Sequence, residues 1–284
     1  MTLPPALPTL PKRELNSHKG SYGHALIVGG SRGMCGSVAL AGMAAIASGA
    51  GLTTLAVPDR CLETVAGYSP CYMTKPLADS ADGRLDASAW RQLSTELDRY
   101  ACVGIGPGLG RSKSIEEFVS IFYQHCAVPL VVDADGLHAL AATKQVVSQV
   151  NHDRIFTPHP GEFQTLSGVS SSDRSGQIAC AIQWAKEYGI IIVLKGNRTL
   201  VTDGRTSYYN ESGNTAMATG GSGDCLTGMI VALVCQGLSA MHAAQLGVYL
   251  HGLAGDLAHL RLGGRVVPPT ELIQSIPMAF SKLE

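Results

Sequence analysis

Charge is scarce in this chain. Asp, Glu, Lys and Arg make up 15% of its 284 residues and nearly cancel, at a net charge of −1. No basic block occurs, which excludes a protein that coats nucleic acid or rides an anionic membrane surface. Aromatic residues are also few, at 6%, whereas glycine fills 33 positions, so loops built from backbone carry weight here. The eight cysteines form no CxxC pair, and most sit inside apolar runs where a free thiol acts as a small hydrophobe. A reducing cytoplasm without disulfides is the simplest reading. The nine histidines supply no HExxH and no i,i+4 pair, so no helical zinc motif is present. The Pro-rich start, MTLPPALPTLPKRELNSHKG, lacks an apolar run long enough for a secretion signal. Residues 34 to 57 carry no charge, and that length could span a bilayer. The SGAGLTT in the middle of the run would put a turn and polar groups into lipid. A buried helix followed by a buried strand is expected instead.

What is present is alternation. Strands are expected at 24–30, 52–58, 101–106, 129–135, 153–159 and 191–196, with a hairpin over 199–211. Helices are expected at 36–51, 86–99, 112–125 and 172–189, and most of the remainder reads as helical. Ala243, Leu246, Leu250, Leu253 and Leu257 keep a 3-4-3-4 spacing, one apolar face of a helix. Near-continuous apolar strands between helices predict a mostly parallel sheet covered on both faces. No linker or repeat divides the chain. One domain over 16–284 is expected, preceded by an arm over 1–15 that packs on the surface or on a neighbouring subunit.

In open α/β sheets, ligands bind beyond the carboxyl ends of the strands, and the segments there are rich in Gly, Asp, His and Lys. ATGGSGD (218–224) leads into an apolar helix. Its glycines let backbone N–H groups approach a ligand, and the helix start adds partial positive charge. Asp224 then either caps that helix or takes a proton from a hydroxyl that attacks a phosphorus held by the loop. VLKGNRT (193–199) offers Lys195, Arg198 and Thr199 to diphosphate oxygens, or else is a solvated turn. GIGPGLG (104–110) is a tight turn or a close backbone approach to a flat or phosphorylated ligand. FTPHPGEF (156–163) fixes His159 between Pro158 and Pro160, with Glu162 three residues on. Asp133 and Asp135 in VVDADGL contact a ligand, directly or through a metal-bound water, or cap the next helix.

In chain order, NSHKGSYGHALIVGGS, GAGLTTLAVP, IGPGLG, VVDADGL, TPHPGEF, VLKGNRTLVTDG and NTAMATGGSGDCLTG resemble the ADP/ATP-dependent NAD(P)H-hydrate dehydratases. The resemblance runs from about His18 to the last helix. It implies a ribokinase-like α/β fold, three layers α/β/α around a mostly parallel sheet. It makes Asp224 the catalytic acid–base group. It puts Gly223 and the run Lys195, Gly196, Asn197, Arg198 and Thr199 on an adenine nucleotide. Ala41, Gly108, His159 and Asp224 would contact the hydrated nicotinamide nucleotide, and Glu162 would reach Mg²⁺ through water. Cys225 stands where an aliphatic residue is ordinary in the family, and Ser48 where a basic one is common; neither touches the chemistry.

The implied reaction is repair. ADP, or alternatively ATP, phosphorylates the C6 hydroxyl of hydrated NADH or NADPH, and phosphate then leaves to restore the reduced ring. Magnesium use, cytoplasmic residence and a homotetramer or larger assembly are implied with it. About 23 residues precede the first strand, too few for the epimerase domain fused to many relatives, so a separate epimerase is expected as pathway partner. Two rival readings remain: a kinase of the same fold acting on a small heteroaromatic alcohol, and a nucleotide sensor without turnover.

Overall fold

The computed structural model describes residues 7–143 and 153–283. Along the chain it contains β1 (His24–Val28), α1 (Cys35–Ala47), β2 (Leu52–Pro58), α2 (Leu62–Ala66), β3 (Met73–Leu77), α3 (Ala89–Ser94), β4 (Cys102–Ile105) and α4 (Lys113–His125). Then come β5 (Leu130–Val132), α5 (Ala134–Ala142), β6 (Arg154–Phe156), α6 (Pro160–Ser167), α7 (Arg174–Tyr188), β7 (Ile191–Leu194), β8 (Leu200–Thr202) and β9 (Ser207–Tyr209). Three long helices close the described chain: α8 (Ser222–Cys235), α9 (Ala240–Leu262) and α10 (Pro269–Ser281).

All nine strands form one sheet in the order β3-β2-β1-β4-β5-β6-β7-β8-β9. Strands β1 to β7 pair in parallel, and β8 and β9 add an antiparallel hairpin. Side chains alternate between faces as the pleat requires. In β1, Leu26 and Val28 join the core under α3 to α7, whereas Ala25 and Ile27 face the layer that holds α1 and α8 to α10. Three layers, α/β/α, result. The uncharged run 34–57 is α1 and β2, a helix and then a strand, and among the described residues no helix is long and apolar enough to cross a membrane. The expected apolar face of α9 is buried at Ala243, Leu246, Leu250 and Leu253.

Several expectations fail locally. The 86–99 helix is broken: α3 stops at Ser94, and a 3-10 turn follows over Leu97–Arg99. At its start Asp86 accepts from the Ser88 N–H in a local turn, and near its end the Ser94 hydroxyl back-bonds to Arg91, the competition that keeps such residues out of helix interiors. Strand β3 lies outside the expected strands and carries Pro76. It is the sheet's edge, where a missing N–H is tolerated. The strands are also shorter than the apolar runs; β1 ends at Val28, and Gly29 and Gly30 belong to the turn beyond it. Arg154 sits fully buried in β6 because its guanidinium donates to the carbonyls of Tyr123 and Cys126 at the end of α4 and to that of Val128.

Because β1 and β4 to β7 run parallel, their carboxyl ends share one edge of the sheet. That edge carries Gly29–Gly30, the 106–110 loop, Asp133, His159 and Lys195, and the order reverses between β1 and β4, where a ligand crevice belongs.

Candidate active site

Helix α8 starts at this edge. Gly221 precedes it at φ 94, and a Cβ there would lie 2.6 Å from Leu40 Cδ1, so both backbone and space demand glycine. No side chain caps the helix. Asp224 stands in its first turn without capping it, which resolves one alternative left open by the sequence. The first N–H groups of α8 lack helical acceptors and form the positive end of its dipole.

The Asp224 carboxyl is half-buried. Burial, reinforced by the negative charge of Asp133, raises its pKa to about 7; a hydrogen bond from Ser37 and the charge of Lys195 pull the other way without prevailing. A carboxyl that titrates near neutrality, next to uncovered N–H groups, suits a general base.

Lys195 lies opposite. Its ammonium is 2.8 Å from Asp133 Oδ1 and 3.8 Å from Glu162 Oε2. Burial alone would lower its pKa, but these two charges outweigh it and hold the group above its ordinary value. The ammonium lies 3.2 Å from the point where a Cβ on Gly223 would stand. Lys195 and Gly223 are therefore neighbours. Asp133 is 1% exposed. It occupies the cap position of α5 but makes no capping bond; its second oxygen accepts from Thr227 Oγ1 at 2.7 Å. Asp135 turns outward and accepts from the Gly110 N–H at 2.9 Å, pinning the glycine loop. Ala134 between them has φ 48, a strained conformation for a residue with a Cβ.

The rest of the expected nucleotide run, Gly196, Asn197, Arg198 and Thr199, forms the turn from β7 to β8. Asn197 and Arg198 are exposed. Arg198 reaches Glu211 at 3.5 Å and lies over the Tyr209 ring, while the Thr199 hydroxyl donates to the Gly196 carbonyl.

His159 is not in a free loop. It caps α6, with Nδ1 accepting from the N–H groups of Gly161 and Glu162, while Glu162 Oε2 accepts from the His159 N–H at 2.7 Å. This is a closed capping box with Pro160 at the first helical position. The ring remains 56% exposed, with Nε2 3.4 Å from Glu162 Oε1. Glu162 is 7% exposed, and burial raises its pKa.

Gly108 lies in the loop after β4 at φ 67, with the Met34 carbonyl 2.5 Å from where its Cβ would be. The Ser31 hydroxyl donates to its carbonyl. Ala41 stands apart from the other expected substrate contacts. It has no exposed surface and packs its carbonyl against Gly228 of α8. The α1 residues that reach the site are Ser37, at Asp224, and Leu40, at the Gly221 turn. Beside Gly110 a cleft of about 320 Å³ opens between α4 and α5, lined by Arg111, Asp135, His138 and Thr165 among others.

Three carboxylates, Asp133, Glu162 and Asp224, thus surround one ammonium. Among the described residues no cluster of His, Cys, Asp or Glu forms a metal cage. Magnesium seldom needs one, since it keeps waters and binds through one or two carboxylates plus substrate phosphates. The surplus of negative charge fits an ion that arrives with a nucleotide.

A parallel sheet wrapped by helices, with a glycine-rich helix start and an acid at its carboxyl edge, defines an α/β scaffold of ribokinase-like type. A ribokinase-like protein of Enterococcus faecalis superposes with a TM-score of 0.83 at 26% identity, covering 96% of this chain and 92% of that one. The family model for NAD(P)H-hydrate dehydratase matches residues 25–278, and the chain belongs to that family. The bifunctional NAD(P)H-hydrate repair enzyme of Moorella thermoacetica is 40% identical over 278 residues, 97% of this chain and 52% of that one. The ADP-dependent (S)-NAD(P)H-hydrate dehydratase of Bacillus subtilis is 33% identical over 282 residues, 97% of this chain and 95% of that one. A Bacillus subtilis ADP/ATP-dependent dehydratase co-crystallised with ATP and Mg²⁺ superposes with a TM-score of 0.79 at 30% identity, covering 97% and 95%. The chain spans about half the length of the first curated relatives it matches.

Four residues at the site escaped the sequence reading: Ser37, Thr227, Arg174 and His251. Arg174 donates to the carbonyls of Leu194 and Lys195 and so fixes the end of β7. Each lies inside a helix whose pattern looks ordinary, and each meets its partner across the fold. A signal was available in helix-interior glycines, Gly228 in α8 and Gly252 and Gly255 in α9, since glycine there is unfavourable and marks a close approach.

Proposed function

We propose that this chain restores hydrated NADH or NADPH, transferring a phosphoryl group from ADP to the C6 hydroxyl. The hydroxyl oxygen bonds to the β-phosphorus as the bond to AMP breaks, and Asp224 accepts the hydroxyl proton. The C6–O bond then breaks, driven by the ring nitrogen lone pair. Phosphate leaves, and loss of a C5 proton returns the dihydropyridine. The observation that carries this reading is Asp224 itself, an uncapping acid lifted to about 7 at an open helix start.

The α8 N–H groups and Lys195 would hold the transferring phosphoryl, a placement favoured by the helix dipole and by charge. Magnesium bound with the nucleotide would neutralise phosphate charge, with Asp133 and Glu162 placed to hold its waters. Gly108 and the exposed ring of His159 would flank the nicotinamide, leaving the cleft at Arg111 and His138 for the rest of the dinucleotide. The turn from Gly196 to Thr199 would meet the adenosine part.

The names of the relatives support the substrate, and a separate NAD(P)H-hydrate epimerase as working partner belongs to the same proposal. Nucleotide and magnesium use are supported by the Bacillus subtilis co-crystal. Cytoplasmic residence and a homotetramer belong to the same proposal; exposed Leu260, Val266 and Met278 support self-association, and a sedimentation mass of one chain would refute it.

The test is to incubate the pure chain with hydrated NADH, Mg²⁺ and either ADP or ATP. The reduced-nicotinamide absorbance should return with release of free phosphate, faster with ADP. A phosphorylated product that accumulates would instead establish the kinase reading.

A further inference from the structure

Helix α9 lies directly against the chain that runs from β9 into α8. The Ser212 hydroxyl donates to the Tyr249 carbonyl at 2.8 Å. Asp256 takes the Gly213 N–H at 2.9 Å and the Asn214 amide at 2.7 Å. A Cβ at Gly252 would overlap Ser212, and one at Gly255 would overlap Met217, so these two glycines are what let the segment sit on the helix. Five residues before Asp256, half-buried His251 places Nε2 2.9 Å from the Ser222 carbonyl and 3.3 Å from the Ser222 hydroxyl. Burial lowers its pKa to about 4, so the ring is neutral in ordinary buffers. A neutral ring facing a carbonyl must carry its proton on Nε2.

We infer that His251 is a positioning residue for phosphoryl binding: by donating to the Ser222 carbonyl it sets the direction of the Gly223 N–H. The two groups belong to one planar peptide and point opposite ways, so holding the carbonyl towards α9 aims the N–H out of the helix start, beside Lys195. Asp256 anchors the far end of the same segment. The arrangement keeps the anion-binding backbone in place before any ligand arrives, the preorganisation that makes such donors effective. This rests on the nucleotide reading of the site.

The experiment compares wild type, His251→Gln and His251→Leu, by calorimetric titration with Mg·ADP and by steady-state kinetics with hydrated NADH. Glutamine extends an amide donor to about the reach of Nε2, so its affinity should stay within about threefold of wild type. Leucine removes the donor and should weaken Mg·ADP binding about 10- to 100-fold, with a matching fall in kcat and little change in the KM for hydrate. The two variants should melt at similar temperatures. If His251→Leu fails to fold, His251→Asn replaces it, since its amide reaches only the Nδ1 position. Leucine binding Mg·ADP as tightly as wild type, or glutamine losing as much as leucine, overturns the inference. Wild type that binds neither Mg·ADP nor Mg·ATP overturns the nucleotide reading itself, a separate outcome visible in the control.

Discussion

Two helices begin at the same edge of the sheet and are finished in opposite ways. Helix α6 is closed: His159 and Glu162 satisfy each other's backbone N–H groups, and Pro160 removes one donor from the first turn. Helix α8 is open: glycine stands at its cap, no side chain covers its N–H groups, and its acid is held near neutrality rather than spent on the helix. The difference teaches where to look for chemistry. A helix end saturated by its own residues is scaffold, whereas one left unsatisfied and half-buried has its binding capacity reserved for something else.

Removing the acid from the open end should have the largest effect. Asp224→Asn keeps shape and hydrogen bonding but loses the proton acceptor, so turnover should fall by about 10²–10⁴-fold. ADP affinity should hold or tighten, because a negative charge beside the phosphates is gone. Steady-state rates and calorimetry on one preparation check both. A variant that restores NADH from its hydrate at the wild-type rate would end the comparison.

Lys195→Ala comes next. A charge-assisted phosphate contact is worth roughly 1.5–3 kcal/mol, so nucleotide affinity should drop about 10- to 100-fold. Asp133 would also be left as a buried, unpaired charge, which costs about 3–5 kcal/mol in comparable pairs. Denaturant titration should therefore show a loss that a simple surface cation would not.

Acidity separates the two ends further. The folded protein raises Asp224 from 3.8 to about 7, so it disfavours the ionised form. The stability linked to this group is full below the unfolded value and is lost as pH rises through 7. Asp224→Asn should thus gain on wild type by up to a few kcal/mol between pH 4 and pH 8, read from urea midpoints at each pH. Wild-type kcat/KM should climb through the same interval as the base ionises.

The smallest effect probes the closed end. Asparagine caps as well as the best residues, so His159→Asn should leave the melting temperature near that of wild type. If the exposed ring touches substrate, the KM for hydrate should still rise a few-fold, on the order of one lost contact of about 1 kcal/mol. An unchanged KM would assign His159 to the scaffold alone.

The open end was legible in the sequence because it is local: glycines, an acid and an apolar helix follow one another within a few residues. The alternation of strands and helices was legible for the same reason. Composition also marked Lys195, His159 and Glu162, but not their geometry. Nothing in VLKGNRT says that the ammonium turns back to Asp133, and nothing in TPHPGEF says that the histidine spends one nitrogen on its own helix. The burial of Ala41 against Gly228 was not legible, because small residues on α1 look alike and only packing decides which of them faces the edge. Strand β3 stayed hidden because a proline inside a strand reads as a break until the strand is known to be an edge.

The packing of Ala41 has its own consequence, and it is mechanical. Ala41 meets Gly228 with no side chain between the two helix backbones. Ser37 lies one turn before Ala41 on α1, and Asp224 lies one turn before Gly228 on α8, each about 6 Å along its axis. The helices are thus joined like a pair of shears at a rivet set just behind the blades. With so short a lever arm, neither hydroxyl nor carboxyl can swing far from the other. The acid and the hydroxyl are thereby held to one spacing by helix packing, not by the loops around them.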